Sequence, residues 1–327
     1  MNKAYLEKII TEIEQISPDY WADLFAVICD FKQSHQIPTP LFQVAKVANY
    51  EDFKARADRR KQNYLDFTAF ETNLLPKTPI DFNVNGFCYV CQKPVDFLVD
   101  FKFSRPINDI ATPNWRERLV CPSCRLNNRM RATIHIFEQE CQARRNTSIY
   151  LTEQTTTLYK WFKQNYSDVY GSEYLGTSIA YGSYNGKGIR NEDITKLSFN
   201  DASFDYILSF DVFEHIPDYQ AALLQCLRCL KPKGQLLFSV PFIKSAEQTL
   251  VRAYIDKNGV LQHLLKPEYH GDPINAEGCL CFYHFGWDII KVLNEIGFIE
   301  VNALLYHSID YAYLGGEQII FSATKPD

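Results

Sequence analysis

Nothing in this 327-residue chain approaches the ~18 consecutive apolar residues of a membrane-spanning helix. No export leader is visible either. The opening MNKAYLEKIITEIEQ is amphipathic and acidic where a leader needs an unbroken apolar run, so the expected location is the cytoplasm. Internal repeats and low-complexity tracts are absent, and the chain reads as ordinary globular sequence. A net positive charge is also missing. The formal charge is −5, which argues against nucleic acid as a partner of the whole molecule.

What is present is a normal apolar share of 46% with 22% charged residues, and a heavy aromatic load of 23 Phe and 20 Tyr for cores and pocket walls. Ten cysteines without an export signal point to reduced thiols or metal ligands rather than disulfides. The length calls for two or three units.

Residues 1–80 read as helical. Leu6, Ile9, Ile10, Ile13 and Ile16 share one helical face. Ser17-Pro18 then opens a second helix carrying Trp21, Leu24, Phe25 and Ile28. Pro38 and Pro40 end it, and a charged third helix is predicted over Glu51 to Leu65. Residues 81–135 hold short aromatic and β-branched runs around two cysteine pairs. From about residue 136 a third region begins. In it the runs IYL, DVYGSEYL, FDYILSF and QLLFSVPF alternate with helical segments, the pattern of a doubly wound α/β sheet with parallel strands. Tyr219, Ala222, Leu223, Cys226, Leu227 and Leu230 form one stripe of a helix from Asp218 to Leu230, which makes Cys226 a core residue.

Cys88-x-x-Cys91 and Cys121-x-x-Cys124 are two knuckles of the kind that complete a tetrahedral thiolate set for a structural zinc ion in a small ribbon-like β module. The gap between them exceeds the usual ribbon spacing, so a hairpin or loop within Phe97 to Trp115 is expected to protrude. Four thiolates close the coordination shell, which assigns such an ion to folding rather than catalysis. Between Lys93 and Arg131 eight Lys/Arg face four acids. This is either a grip on an anionic acceptor or a solvated helix face, and the solvated face is the simpler reading.

The segment Asn191 to Phe242 carries Asp193, then Ser203-Phe204-Asp205, a strand ending at Phe210, then Glu214-His215-Ile216, and Leu230-Lys231-Pro232-Lys233-Gly234. In this order the motifs resemble the class I S-adenosylmethionine (SAM)-dependent methyltransferases, in particular the "type 11"-like group acting on small molecules. The resemblance covers roughly Ser148 to the C-terminus. It implies a Rossmann-like sheet binding SAM at its strand ends, with Glu173 and the adjoining Tyr174 at the ribose, Asp193 and Ile194 beside the adenine, and Ser209 to Asp211 at the methyl-transfer pocket.

The group's glycine-rich first loop is replaced here by Thr152-Glu153-Gln154-Thr155-Thr156. In that loop Glu153 is the candidate for the methionine ammonium, and Thr155 or Thr156 for the helix cap. A similar TEQT run goes with bacterial methyltransferases that carry an N-terminal cysteine module.

An insert from about Ile243 to Gly286, with a hairpin turn at Asp256-Lys257-Asn258-Gly259, reads as a lid over the acceptor. Methyl transfer to a hydroxyl needs a base, and His270, His215 and His284 are the candidates. Cys279 and Cys281 read as packing. The leading expectation is methyl transfer to an O or N atom of a small or medium acceptor, a sugar or glycan first. The alternatives are an RNA methyltransferase gripping through the cysteine module, and a non-catalytic scaffold that has kept the fold.

Overall fold

The four runs read as strands enter one seven-stranded sheet in the computed structural model, which describes residues 42–107, 110–271, 274–275 and 277–327. The two helices predicted between Leu6 and Ile28 lie outside the described residues. Numbered along the chain, the sheet holds β1 (Val44–Val47), β4 (Ser148–Leu151), β5 (Asp168–Gly171), β6 (Phe204–Phe210), β7 (Leu230–Ser239), β8 (Ile299–Ser308) and β9 (Tyr313–Thr324). Their spatial order is β1-β8-β9-β7-β6-β4-β5. The strands β5, β4, β6 and β7 are mutually parallel.

The rest of the sheet departs from the all-parallel expectation. β9 pairs antiparallel with β7, β8 with β9, and β1 with β8. A short turn joins β8 to β9, and strands so closely joined can only return antiparallel. A second departure lies in residues 1–80, read as helical: Val44–Val47 is a strand. Two valines and an alanine there close the open edge of β8, and Val47 is buried. The third predicted helix is two helices, α1 (Tyr50–Arg59) and α2 (Lys61–Asn73), broken at Arg60. The Asn49 side chain caps α1 by accepting from the Asp52 amide at 2.9 Å.

The helix Thr157–Asn165 (α4) follows β4, and its Thr156 hydroxyl accepts from the Tyr159 amide. The helix Tyr219–Cys229 (α5) follows β6, capped by Asp218. Its stripe packs Ala222, Leu223 and Cys226 into the core with Phe238 and Leu293, the last from α6 (Asp288–Ile296). No helix connects β5 to β6. A single parallel bridge, Glu173 to Asn191, extends the sheet there, and the buried Asn191 amide donates to Gly176 O and Ile179 O.

The cysteine module is a hairpin of β2 (Phe82–Cys88) and β3 (Lys93–Val99), with the first knuckle at its turn. The chain protrudes between the knuckles as expected, pairing Arg105–Ile107 with Ile110–Thr112. After the second knuckle comes α3 (Asn128–Ile136). The module shares a core with the turn before β9: Val84, Phe97, Trp115 and Leu119 cluster with Ala312 and Leu314. In the 243–286 insert Asp256 accepts from the Asn258 and Val260 amides, shaping the predicted hairpin of Ala253–Ile255 with Leu261–His263.

Candidate active site

The strand ends of β4 and β6 are tied together by Thr152, whose hydroxyl donates to the Ser209 hydroxyl at 3.0 Å. Ser209 is fully buried. The loop that follows β4 is held by one carboxylate. Glu173 Oε1 accepts from the Gln154 amide, the Thr155 amide and the Thr155 hydroxyl at 2.8, 2.9 and 2.8 Å. β5 approaches this loop and α4 closely at Gly171, its last residue. A Cβ there would lie 2.4 Å from the Tyr159 ring and 2.7 Å from the Glu153 carbonyl oxygen.

Inside this loop the Glu153 Oε1 atom is buried without a hydrogen-bond partner. Burial raises the Glu153 carboxyl to about 7. A hydrogen bond from Thr156 and the Arg129 charge pull it down, while Glu173 and Asp211 repel it. Tyr174 is exposed beside Glu173. Asp193 accepts from the Thr195 amide and hydroxyl at 2.9 and 2.7 Å, and from the Tyr181 hydroxyl at 3.3 Å. Ile194, next to it, is packed into the main core.

The basic run of the cysteine module is only in part the solvated face expected of it: Lys93, Lys102 and Arg125 are exposed, whereas Arg116, Arg129 and Arg131 turn inward. Arg116 Nη2 donates to Asp211 Oδ1 at 2.8 Å, and Arg129 Nε lies 2.9 Å from Glu117 Oε1 and 3.3 Å from Asp211 Oδ2. Asp211 also accepts from the Ser239 hydroxyl at 3.0 Å. Burial opposes the charge on Asp211, yet the two guanidinium groups outweigh it and hold the carboxyl far below its usual range. The module thus reaches the ends of β6 and β7 through paired charges. Arg131 is fully buried, lies over the Phe97 ring and donates to the Tyr311 carbonyl at 2.8 Å. A sequence scan shows these arginines as a charge run, and it gives no sign that each has a carboxylate or carbonyl waiting in another element.

A second cluster stands at the turn after β6. Phe213–His215 forms one helical turn. The insert is stitched to that turn, since the Phe282 amide donates to the Glu214 carbonyl and the Cys281 amide to the Glu268 carbonyl. Short pairings, Tyr269–His270 with Cys279–Leu280 and Leu250–Val251 with Tyr283–His284, then bring three histidines together. His215 Nδ1 lies 2.8 Å from Leu280 O, and His270 Nε2 and His284 Nε2 each lie 3.1 Å from Glu268 Oε1. Arg252 pairs with the other oxygen of Glu268 at 3.1 Å. Contacts with Cys281 and Glu214 raise His270 to about 11 despite burial.

All three candidate histidines therefore sit in one cluster. Cys281 is more than packing, because its buried sulfur groups with Glu268 and His284. Glu214 stands in the Glu214-His215-Ile216 motif but was not picked out as a site residue, and Glu268 was not singled out from the insert. Only the tertiary pairing reveals them.

In the module, Cys88 Sγ lies 3.9 Å from Cys124 Sγ, and Cys91 Sγ 3.7 Å from Cys121 Sγ. A disulfide would bring two sulfurs to about 2.05 Å. The edge of a tetrahedral zinc–thiolate site, from bonds of about 2.3 Å, is about 3.8 Å. These two distances match that edge, all four sulfurs lie within 4.8 Å of one another, and the buried Arg131 guanidinium beside them would offset part of the charge of a thiolate set.

Parts of the chain are similar to known proteins. Residues 155–238 match the family model of a methyltransferase domain. A protein of Mycolicibacterium smegmatis named "Probable S-adenosylmethionine-dependent methyltransferase" is 33% identical over 75 residues, which is 22% of this chain and 29% of that protein. The chain thus spans under a third of that relative's length. Among solved structures, the Burkholderia thailandensis 1,6-didemethyltoxoflavin-N1-methyltransferase with bound 1,6-didemethyltoxoflavin and S-adenosylhomocysteine is 15% identical. The alignment covers 61% of this chain and 78% of that one at a TM-score of 0.37. An S-adenosylmethionine-dependent methyltransferase of Mesorhizobium loti is 16% identical over 57% of this chain and 94% of that one, at a TM-score of 0.34.

Proposed function

We propose that the chain is a SAM-dependent methyltransferase acting on an O or N atom of a small or medium acceptor, with a sugar or glycan first among candidates. The observation that carries this reading is the group of acids at the ends of β4, β5 and β6, where a doubly wound sheet leaves its crevice, in and beside the segment matching the methyltransferase family. There a buried carboxyl, Glu153, stands with an unpaired oxygen. In doubly wound sheets such crevices are where ligands bind.

SAM supplies an activated methyl group on a sulfonium, leaving the protein to align the acceptor and accept a proton. Glu153 receives the ammonium of the methionine portion; with its carboxyl raised to about 7, a neighbouring cation completes its ionisation. Glu173, with one oxygen holding the loop, presents the other to the ribose hydroxyls, with Tyr174 alongside. Asp193 faces the adenine amine, and Ile194 forms the apolar floor beneath it. Ser209 and Asp211 border the methyl-transfer pocket, and Thr155 keeps the loop in shape. The insert 243–286 covers the acceptor. Of the candidate histidines His215 is the one to receive its proton, because the neighbours of His270 and His284 favour the protonated forms of those two.

A structural zinc ion on Cys88, Cys91, Cys121 and Cys124 completes the assignment. Such an ion would keep the module folded and so hold Arg116 and Arg129 against Asp211. The RNA reading loses part of its grip, because Arg116, Arg129 and Arg131 are engaged internally while Lys93, Lys102 and Arg125 stay exposed. Saturable binding of SAM by the purified chain tests the proposal, followed by methyl transfer to nucleotide sugars and glycans.

A further inference from the structure

We infer that Glu214, His215 and His270 form a binding site for a divalent transition-metal ion of the zinc class, distinct from the four-cysteine site. The three donor atoms lie within 4.8 Å of one another. His215 Nε2 and His270 Nδ1 are each 3.6 Å from Glu214 Oε1, too long for good hydrogen bonds. They lie close to the edge of a tetrahedral zinc site with nitrogen and oxygen ligands, about 3.4 Å from bonds of about 2.1 Å.

The outer ring nitrogens fix the direction of the inner ones. Leu280 O, 2.8 Å from His215 Nδ1, can only accept, so that nitrogen carries the proton. The Glu268 carboxylate, 3.1 Å from His270 Nε2, does the same for His270. In the neutral rings the lone pairs of His215 Nε2 and His270 Nδ1 then both point at Glu214. Histidines that ligate metals are held in this way, with the far N–H given to a carbonyl or carboxylate.

Glu214 itself is fully buried, and neither carboxylate oxygen has a hydrogen-bond partner. A buried carboxylate facing two ring nitrogens calls for a cation, either a proton on His270 Nδ1 or a metal ion in its place, and the 3.6 Å spacing favours the metal ion. The neighbouring trio of Glu268, Cys281 and His284 does not, because Arg252 and the two imidazoles already engage Glu268. Glu268 is the orienting outer partner, and the ion belongs at Glu214.

Three protein ligands leave a coordination position open. The turn bearing Glu214 and His215 begins two residues after Asp211, at the mouth of the methyl-transfer pocket. An ion there would take an acceptor oxygen into its open position and ease loss of the hydroxyl proton, as bound metals do for water. This role toward the acceptor rests on the methyltransferase reading, whereas the ion site itself does not.

Elemental analysis and Co2+ substitution of the full-length chain test the inference. Wild type should hold one equivalent of zinc beyond the four-cysteine ion, and that equivalent should be missing from Glu214→Gln. Co2+-loaded wild type should show d–d bands of a nitrogen–oxygen site in addition to thiolate charge transfer, and Glu214→Gln only the latter. If wild type holds one equivalent alone and its Co2+ spectrum is wholly of the thiolate kind, protons occupy the cluster and the inference falls. Because wild type decides this by itself, poor folding of the variant does not rescue the idea. SAM titration run in parallel separates the two claims, since an extra equivalent of metal without SAM binding keeps the ion site and removes the methyltransferase reading.

Discussion

A carboxyl with an unpaired buried oxygen is costly to ionise, and at the residue scale Glu153 is where that cost is most exposed to test. Its folded value of about 7 lies above the ordinary 4.5, so between these values the folded chain holds more protons than the unfolded one. Stability therefore falls as pH rises through this window and stays reduced above it. Glu153→Gln removes the penalty. Chemical denaturation at several pH values should show the variant more stable than wild type at pH about 8, with the gap closing below pH about 5. A gap independent of pH would mean that Glu153 is solvated. The candidate role of Glu153 was legible from its place after the first strand. Its missing partner was not, because that depends on Glu173 spending its hydrogen bonds on Gln154 and Thr155 instead. The arginines were misread for a similar reason, each finding its acid in a distant segment.

Among the elements, the parallel strands and α5 were plain in the sequence, where apolar runs and a single stripe leave little choice. The third strand position was not, since only the bridge at Glu173 and Asn191 marks it and polar side chains hold it. Neither was the close approach of β5 to the loop after β4, which Gly171 alone permits. Gly171→Ala sets a methyl group against the Tyr159 ring and the Glu153 carbonyl. It should lower stability by about 1–3 kcal/mol in urea unfolding and weaken SAM binding at the same time, because the 153–155 loop must move. A loss of stability with SAM affinity unchanged would detach that loop from the cofactor site.

At the scale of the described residues, a module that reads as independent is coupled to the sheet proposed to bind SAM. Phe87 N donates to Asp310 O, Asn128 to Leu314 O and Arg131 to Tyr311 O, so the hairpin and α3 lean on the turn between β8 and β9. That the two knuckles form one group of four cysteines able to hold a metal ion was legible from spacing alone. Their attachment to the end of the sheet was not, because nothing in local pattern shows which distant turn will accept a buried guanidinium. If a zinc ion holds the knuckles, its removal by a strong chelator should lower the melting temperature of residues 42–327 as one transition rather than melting the module alone. An early separate transition would make the module an independent unit.

The central claim is tested most directly by calorimetric titration of folded, zinc-loaded protein with SAM, comparing wild type with Asp193→Ala. The account predicts saturable one-to-one binding, weakened by the substitution ~10-fold or more, a loss of ~1.4 kcal/mol. Absence of any binding heat from a wild-type sample of intact fold, confirmed by equilibrium dialysis, would contradict it and leave the fold as a scaffold.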